Sequence, residues 1–229
     1  MSLRGVIFDF DGVIANTEPI HFQVYQDVLA DTPLKLERDA YYARYLGYDD
    51  VGVFTSLAKD QGVSLDQGEL QQLLERKGKR FQEMVGNDSV LFPEAAACVE
   101  RLAAAVPLGI ASGALHHEID SILTQAGLRR YFSVIVAADD IERQKPAPDA
   151  YVRAVRLLRT ELGSTSDGCF VAIEDSRWGI EAAQAAGIPC LAITHSYSAE
   201  QLYTADALVT SLADVDTALL QNLCTRCDK

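Results

Sequence analysis

Leu3-Arg4-Gly5-Val6-Ile7-Phe8-Asp9-Phe10-Asp11-Gly12 is the stretch on which the reading of this chain turns. From Leu3 to Phe10 it is apolar and β-branched-rich, as in a strand buried on both faces. It ends in acidic residues and an Asp-Gly turn signal. Strand–helix alternation recurs further along. Val106 to Ala111, Ser133 to Ala138, Cys169 to Ile173, Cys190 to Thr194 and Ala207 to Thr210 read as strands. Leu115 to Ala126, stopped by Gly127, and Pro148 to Leu158 read as helices. A third helix, capped by Ser176, runs to Ala186 and stops at Gly187. The expected fold is α/β, a doubly wound parallel sheet covered on both faces.

The segment from Thr17 to Gly86 breaks that rhythm. Helical stretches such as His21 to Leu29 and Leu70 to Met84 fill it, with no strand-like run. The expected organisation is an α/β core of residues 1–16 and 87–229, with an inserted helical cap subdomain of residues 17–86.

The chain has 229 residues, 48% of them hydrophobic, and carries a net charge of -13. That length supports a large buried core without staples. The acidic excess excludes the positive footprint of a nucleic-acid binder and disfavours an anionic membrane surface. No stretch reaches the roughly 20 apolar residues of a membrane span, and no cleavable leader pattern opens the sequence. A cytoplasmic protein, monomeric or weakly dimeric, is expected. Of five cysteines, Cys98, Cys169 and Cys190 lie in apolar runs and read as small core residues. Cys224 and Cys227 form a C-x-x-C pair with no further zinc ligands nearby, and read as tail.

Ligands of open α/β sheets bind beyond the carboxyl ends of the strands. Asp9 and Asp11 follow the first strand, and Ser112-Gly113 another. Lys145 precedes the Pro148 helix, and Glu174-Asp175-Ser176 ends a further strand. Crowded carboxylates need a cation, and oxygen-only ligands call for a hard one, Mg²⁺. A carboxylate is also a nucleophile toward phosphorus. Lys145 supplies a compact positive charge. The Ser112 hydroxyl and the N–H groups after it suit a phosphate oxygen, aided by the dipole of the helix that follows.

These residues carry a family resemblance. Asp9-Phe10-Asp11-Gly12-Val13, Ser112, Lys145-Pro146-Ala147-Pro148-Asp149 and Glu174-Asp175-Ser176, with Gly179 and Ala186-Gly187, resemble the four motifs of the haloacid dehalogenase-like hydrolases. The match is closest to the β-phosphoglucomutase-like branch, including CbbY-like phosphatases, whose helical cap follows the first motif. The resemblance implies that Asp9 is phosphorylated and that Asp11 is the general acid/base. It implies that Asp9, the Asp11 carbonyl and Asp175 hold Mg²⁺, with Glu174 in or near that shell. Ser112, Gly113 and Lys145 would bind phosphate.

Within the cap, His21 and Lys77 are candidate substrate-binding residues. His21 matches in spacing a functional His of the mutases, with a hinge or proton-transfer role implied. Lys77 lies near their substrate-contacting Lys, while each of the two reads equally as helix surface. Asn16 departs from the usual Asp. Tyr48-Asp49-Asp50 stands where a mutase has a basic residue for a distal phosphate, and two carboxylates there would repel it. The expectation is therefore a phosphatase acting on a small phosphorylated metabolite, with a sugar-phosphate mutase as the alternative. A receiver-like phospho-acceptor or a silent phospho-ligand binder are remoter ones. His116, His117, His195 and Trp178 read as surface, loop or packing residues without a catalytic part.

Overall fold

The computed structural model describes residues 1–46, 48–85, 90–163 and 168–226. Cys227 lies outside them. The chain divides into two compact units, Met1–Asn16 with Val90–Lys229, and Thr17–Ser89.

The second unit is built from α1 (Glu18–Leu29), a short α2 (Arg38–Ala40) continued by a π-turn Tyr41–Tyr45, α3 (Asp50–Asp60) and α4 (Gln67–Val85). Tyr25, Phe54 and Tyr41 meet at ring distances of 5.4 to 5.7 Å in its core. Asp49 caps α3 by accepting from the Gly52 N–H at 2.7 Å.

The first unit holds α5 (Ala95–Ala103), α6 (His116–Gln125), α7 (Asp149–Glu161), α8 (Arg177–Ala185) and α9 (Thr217–Arg226). Its strands are β1 (Leu3–Phe8), β2 (Leu108–Ala111), β3 (Phe132–Val136), β4 (Cys169–Glu174), β5 (Cys190–Ile193) and β6 (Ala207–Val209). They form one parallel sheet in the order β3-β2-β1-β4-β5-β6. The chain winds outward one way from β1 and the other way from β4, so strand order reverses between these two neighbours. That reversal is where ligands of doubly wound sheets bind.

Every residue of β2, β4 and β5 is buried, as a sheet covered on both faces demands. Ile7, Tyr151, Leu158, Phe170 and Ile180 share one buried cluster. Each such side chain contributes about 1.5–3 kcal/mol by leaving water. β2 starts at Leu108 rather than Val106, because Pro107 between them has no N–H for the ladder. Gly127 and Gly187 stop α6 and α8 at φ +70 and +74, in the left-handed region.

One reading of the cysteines is corrected. Cys169, at the start of β4, is bonded to Cys224 of α9 across 55 residues, with the Cα atoms 5.6 Å apart. Neither is a bland core or tail residue. Cys98 and Cys190 are buried free thiols, as their apolar runs suggest.

Candidate active site

Sheet register assembles the acidic rim. β1 and β4 pair with Phe8 opposite Ile173, and the Asp9 N–H donates to the Ile173 carbonyl at 2.9 Å. Asp9 therefore leaves β1 beside Glu174 and Asp175 leaving β4. Asp9, Glu174 and Asp175 each offer a carboxylate oxygen within 4.8 Å of the others, and all three are buried.

Lys145 bridges two of them. Its Nζ lies 2.9 Å from Asp9 Oδ1 and 2.6 Å from Glu174 Oε1. Glu174 is fully enclosed. Its Oε1 also accepts from Tyr151 Oη at 2.6 Å, and its Oε2 from Ser176 Oγ at 3.2 Å. A buried carboxylate with three donors is satisfied, and it fixes Lys145 against Asp9. Burial pulls the Lys145 pKa down, but Asp9 and Glu174 together lift it above its ordinary value, so the ammonium stays charged.

Asp9 is the strained member. Burial, then the Glu174 carboxylate, push its pKa up to about 7, against the pull of Lys145. One cation does not neutralise this cluster. An additional hard cation fits it: the donors are all oxygens, and Asp9 and Asp175 are desolvated carboxylates close together.

Two glycines make room for these acids. Gly12 sits at φ +77, and a Cβ there would overlap the Asp175 carboxylate. A Cβ at Gly179 would overlap the Glu174 carboxylate. Asp11, half-buried, bridges to Ala15 in the same tight turn.

Ser112 follows β2 on the same rim. Its N–H donates to the Val136 carbonyl at 3.0 Å, and its Oγ accepts from the Ala114 N–H at 3.1 Å. α6 begins at His116, within one residue of the expected Leu115, and Glu118 Oε2 takes the Leu115 N–H at 3.3 Å. Gly113 is exposed, with open space where a Cβ would stand.

His21 and Lys77 lie in the second unit. His21 stacks on Phe81 at 4.3 Å. Lys77 is not on a solvated basic face: it is 2% exposed, 3.0 Å from Asp50 Oδ1 and over the Phe81 ring at 4.8 Å. Asp50 also accepts from Tyr25 Oη at 2.6 Å. Asp49 and Asp50 are thus engaged by a helix cap and an ion pair inside their own unit. Lys77 offsets the charge of Asp50, whereas Asp49, bonded to a backbone N–H, keeps its own.

Two residues escaped the sequence reading. Tyr151 shows only as an aromatic early in the Pro148 helix, with no sign of its bond to Glu174. His195 was given no part, yet its Nδ1 lies 2.8 Å from the Gly12 carbonyl.

The family description "Haloacid dehalogenase-like hydrolase" matches residues 6–193 of the chain. The chain belongs to this family of hydrolases. It is 31% identical to phosphoglycolate phosphatase of Yersinia pestis over 95% of this chain and 94% of that one. It is likewise 31% identical to fructose-1-phosphate phosphatase YqaB of Escherichia coli, over 80% and 93%. Protein CbbY of Rhodobacter capsulatus is 28% identical over 97% of this chain and all of that one. Among solved structures, CbbY of Rhodobacter sphaeroides in complex with xylulose-(1,5)bisphosphate superposes with a TM-score of 0.83. It shares 24% identity, covering 96% of this chain and 100% of that one. A β-phosphoglucomutase of Clostridium difficile gives the same TM-score at 17% identity, over 98% of each chain. These two likenesses speak for the fold.

Proposed function

We propose that the chain is a Mg²⁺-dependent phosphatase of small phosphomonoesters, sugar phosphates or similar metabolites, working through an aspartyl-phosphate at Asp9. The observation that carries this is Asp9 itself, a buried carboxylate at the strand-order reversal, flanked by Lys145 and Asp175. The names of the relatives at 31% identity point the same way.

In this reading an Asp9 oxygen attacks phosphorus and the bond to the leaving oxygen breaks. Asp11 gives that oxygen a proton. Asp11 then takes a proton from water as the water oxygen attacks the phospho-Asp9 phosphorus. The carboxylate of Asp9 departs and free phosphate leaves. Lys145 keeps Asp9 oriented and offsets charge gathering on the phosphoryl oxygens. Asp9, Asp175 and the Asp11 carbonyl would hold Mg²⁺, which supplies further charge neutralisation when bound. Glu174 stands beside this set and is committed mainly to Lys145. Ser112 and Gly113 would receive a phosphate oxygen through hydroxyl and backbone N–H. Selection of the ester falls to the inserted unit, residues 17–86, including His21, with Lys77 held in its pair with Asp50.

No helix among the described residues is long and apolar enough to cross a membrane. Cytoplasmic placement belongs to this proposal and implies a reduced form, in which Cys169 and Cys224 are two buried thiols.

The test is phosphate release with Mg²⁺ from a panel including para-nitrophenyl phosphate, hexose phosphates and phosphoglycolate, beside Asp9→Asn. Release that vanishes in the variant supports the reading, and release that persists refutes it. β-Glucose 1-phosphate with a bisphosphate primer is run alongside. Glucose 6-phosphate with little free phosphate would show a mutase instead.

A further inference from the structure

We infer that His195 is a positioning residue, anchoring the Asp9–Gly12 turn to the returning chain at Phe92; its effect on turnover rests on the phosphatase reading. The turn is mostly self-bonded. The Phe10 carbonyl accepts from Ile14 and Ala15 N–H at 2.9 and 3.0 Å, and the Gly12 N–H donates to the Ala15 carbonyl at 2.8 Å. The Gly12 carbonyl instead meets a side chain from the loop after β5, His195 Nδ1 at 2.8 Å. A carbonyl has no proton to give, so Nδ1 carries the hydrogen. The other face of the contact is aromatic: the His195 ring stacks on Phe92 at 3.8 Å and 20°.

These two partners matter because of where the chain runs. It leaves the first unit after Asn16 and re-enters at Val90. The exit and re-entry segments pair: Asn16 N–H donates to the Val90 carbonyl at 2.7 Å, and Phe92 N–H to the Ile14 carbonyl at 3.0 Å. His195 touches one residue in each, Gly12 before the exit and Phe92 after the return. Gly12 adjoins Asp11 and is forced into the left-handed region, where a side chain is not tolerated. Glycine adopts that conformation freely, so the turn is held by its hydrogen bonds, and the His195 contact is one of them. Burial lowers the His195 pKa against the Gly12 carbonyl and Glu94, which leaves the neutral Nδ1–H form to donate. Releasing the Gly12 carbonyl frees the Gly12–Val13 peptide, one residue after Asp11 and three after Asp9.

Two variants separate donor from ring. His195→Asn keeps an N–H donor near the Nδ1 position and loses the ring, while His195→Phe keeps the ring and loses the donor. The expected result is a kcat about 10- to 100-fold lower in His195→Phe with KM nearly unchanged, since a displacement near 1 Å carries that order of loss. His195→Asn should recover most of it. Amide hydrogen exchange at Gly12 to Ala15 should quicken in His195→Phe and stay slow in His195→Asn. Unchanged kcat and exchange in His195→Phe would overturn the proposal. So would damage in His195→Asn as large as in His195→Phe, because the retained donor would then not hold the turn. If the wild type releases no phosphate from any ester, or Asp9→Asn is as active, the phosphatase reading falls. The exchange measurement still decides the anchor.

Discussion

Replacing Glu174 by Gln removes one charge from a fully buried group and leaves its shape. Three donors converge on this carboxylate: Lys145 at 2.6 Å, Tyr151 at 2.6 Å and Ser176 at 3.2 Å. Breaking a buried ion pair by removing one partner costs about 3–5 kcal/mol. Gln retains an acceptor for Tyr151, and Lys145 retains Asp9, so the lower end applies, about 3 kcal/mol. In a chain of this size that lowers the melting temperature of the α/β unit by about 6–12 °C. The Asp9 pKa should fall, because the Glu174 carboxylate is the second-largest cause of its rise. Phosphate release should drop about 100-fold, since Lys145 is then held from one side only. The assay is a melting curve with kcat on the best ester, beside Tyr151→Phe. That control removes one hydrogen bond and no charge, and should cost about 1.5–3 kcal/mol with activity largely kept. A Glu174→Gln protein as stable and active as wild type would refute the reasoning. So would a Tyr151→Phe protein that loses as much activity as Glu174→Gln.

The raised Asp9 pKa has a signed consequence for stability. The folded state holds this proton up to about pH 7, the unfolded chain only to its ordinary 3.8. This contribution is therefore complete below pH 3.8 and is lost as pH rises through about 7. Mg²⁺ needs the ionised carboxylate, so it should raise the melting temperature more at pH 8 than at pH 5.5, measured against EDTA; an equal effect at both would remove Asp9 from the cation site. Cys224→Ser opens a loop of 55 residues and should cost about 4 kcal/mol of stability under oxidising conditions. In excess reductant the variant and wild type should melt together, and a difference that survives reductant would mean that packing, not the bond, is lost.

The sheet was legible because strands buried on both faces write themselves as unbroken apolar runs, as in Val6-Ile7-Phe8 and Phe170-Val171-Ala172-Ile173. The placement of Asp9, Lys145, Glu174 and Asp175 on one rim was legible too, since a parallel sheet sends every strand's carboxyl end the same way. Pairings between distant residues were not. Lys77 reads as one of several cations on α4, and nothing local shows that Asp50 and Tyr25 enclose it. The Cys169–Cys224 bond depends on α9 lying against the start of β4, which no spacing reveals. α9 itself, with Thr217, Gln221, Asn222 and Thr225 among its residues, lacks a strong apolar stripe and passed unread. His195 was invisible because its partner is a backbone carbonyl far away in sequence.

The central position of β1 also orders events during synthesis. β1 is made first, yet its sheet neighbours begin at Leu108 and Cys169. At roughly 5–20 residues per second, the strand bearing Asp9 waits on the order of ten seconds or more for β4. The helices α1 to α4 form a contiguous run made in the meantime. Until β4 emerges from the ribosome, the nascent chain carries Asp9 on an apolar strand with at least one edge open.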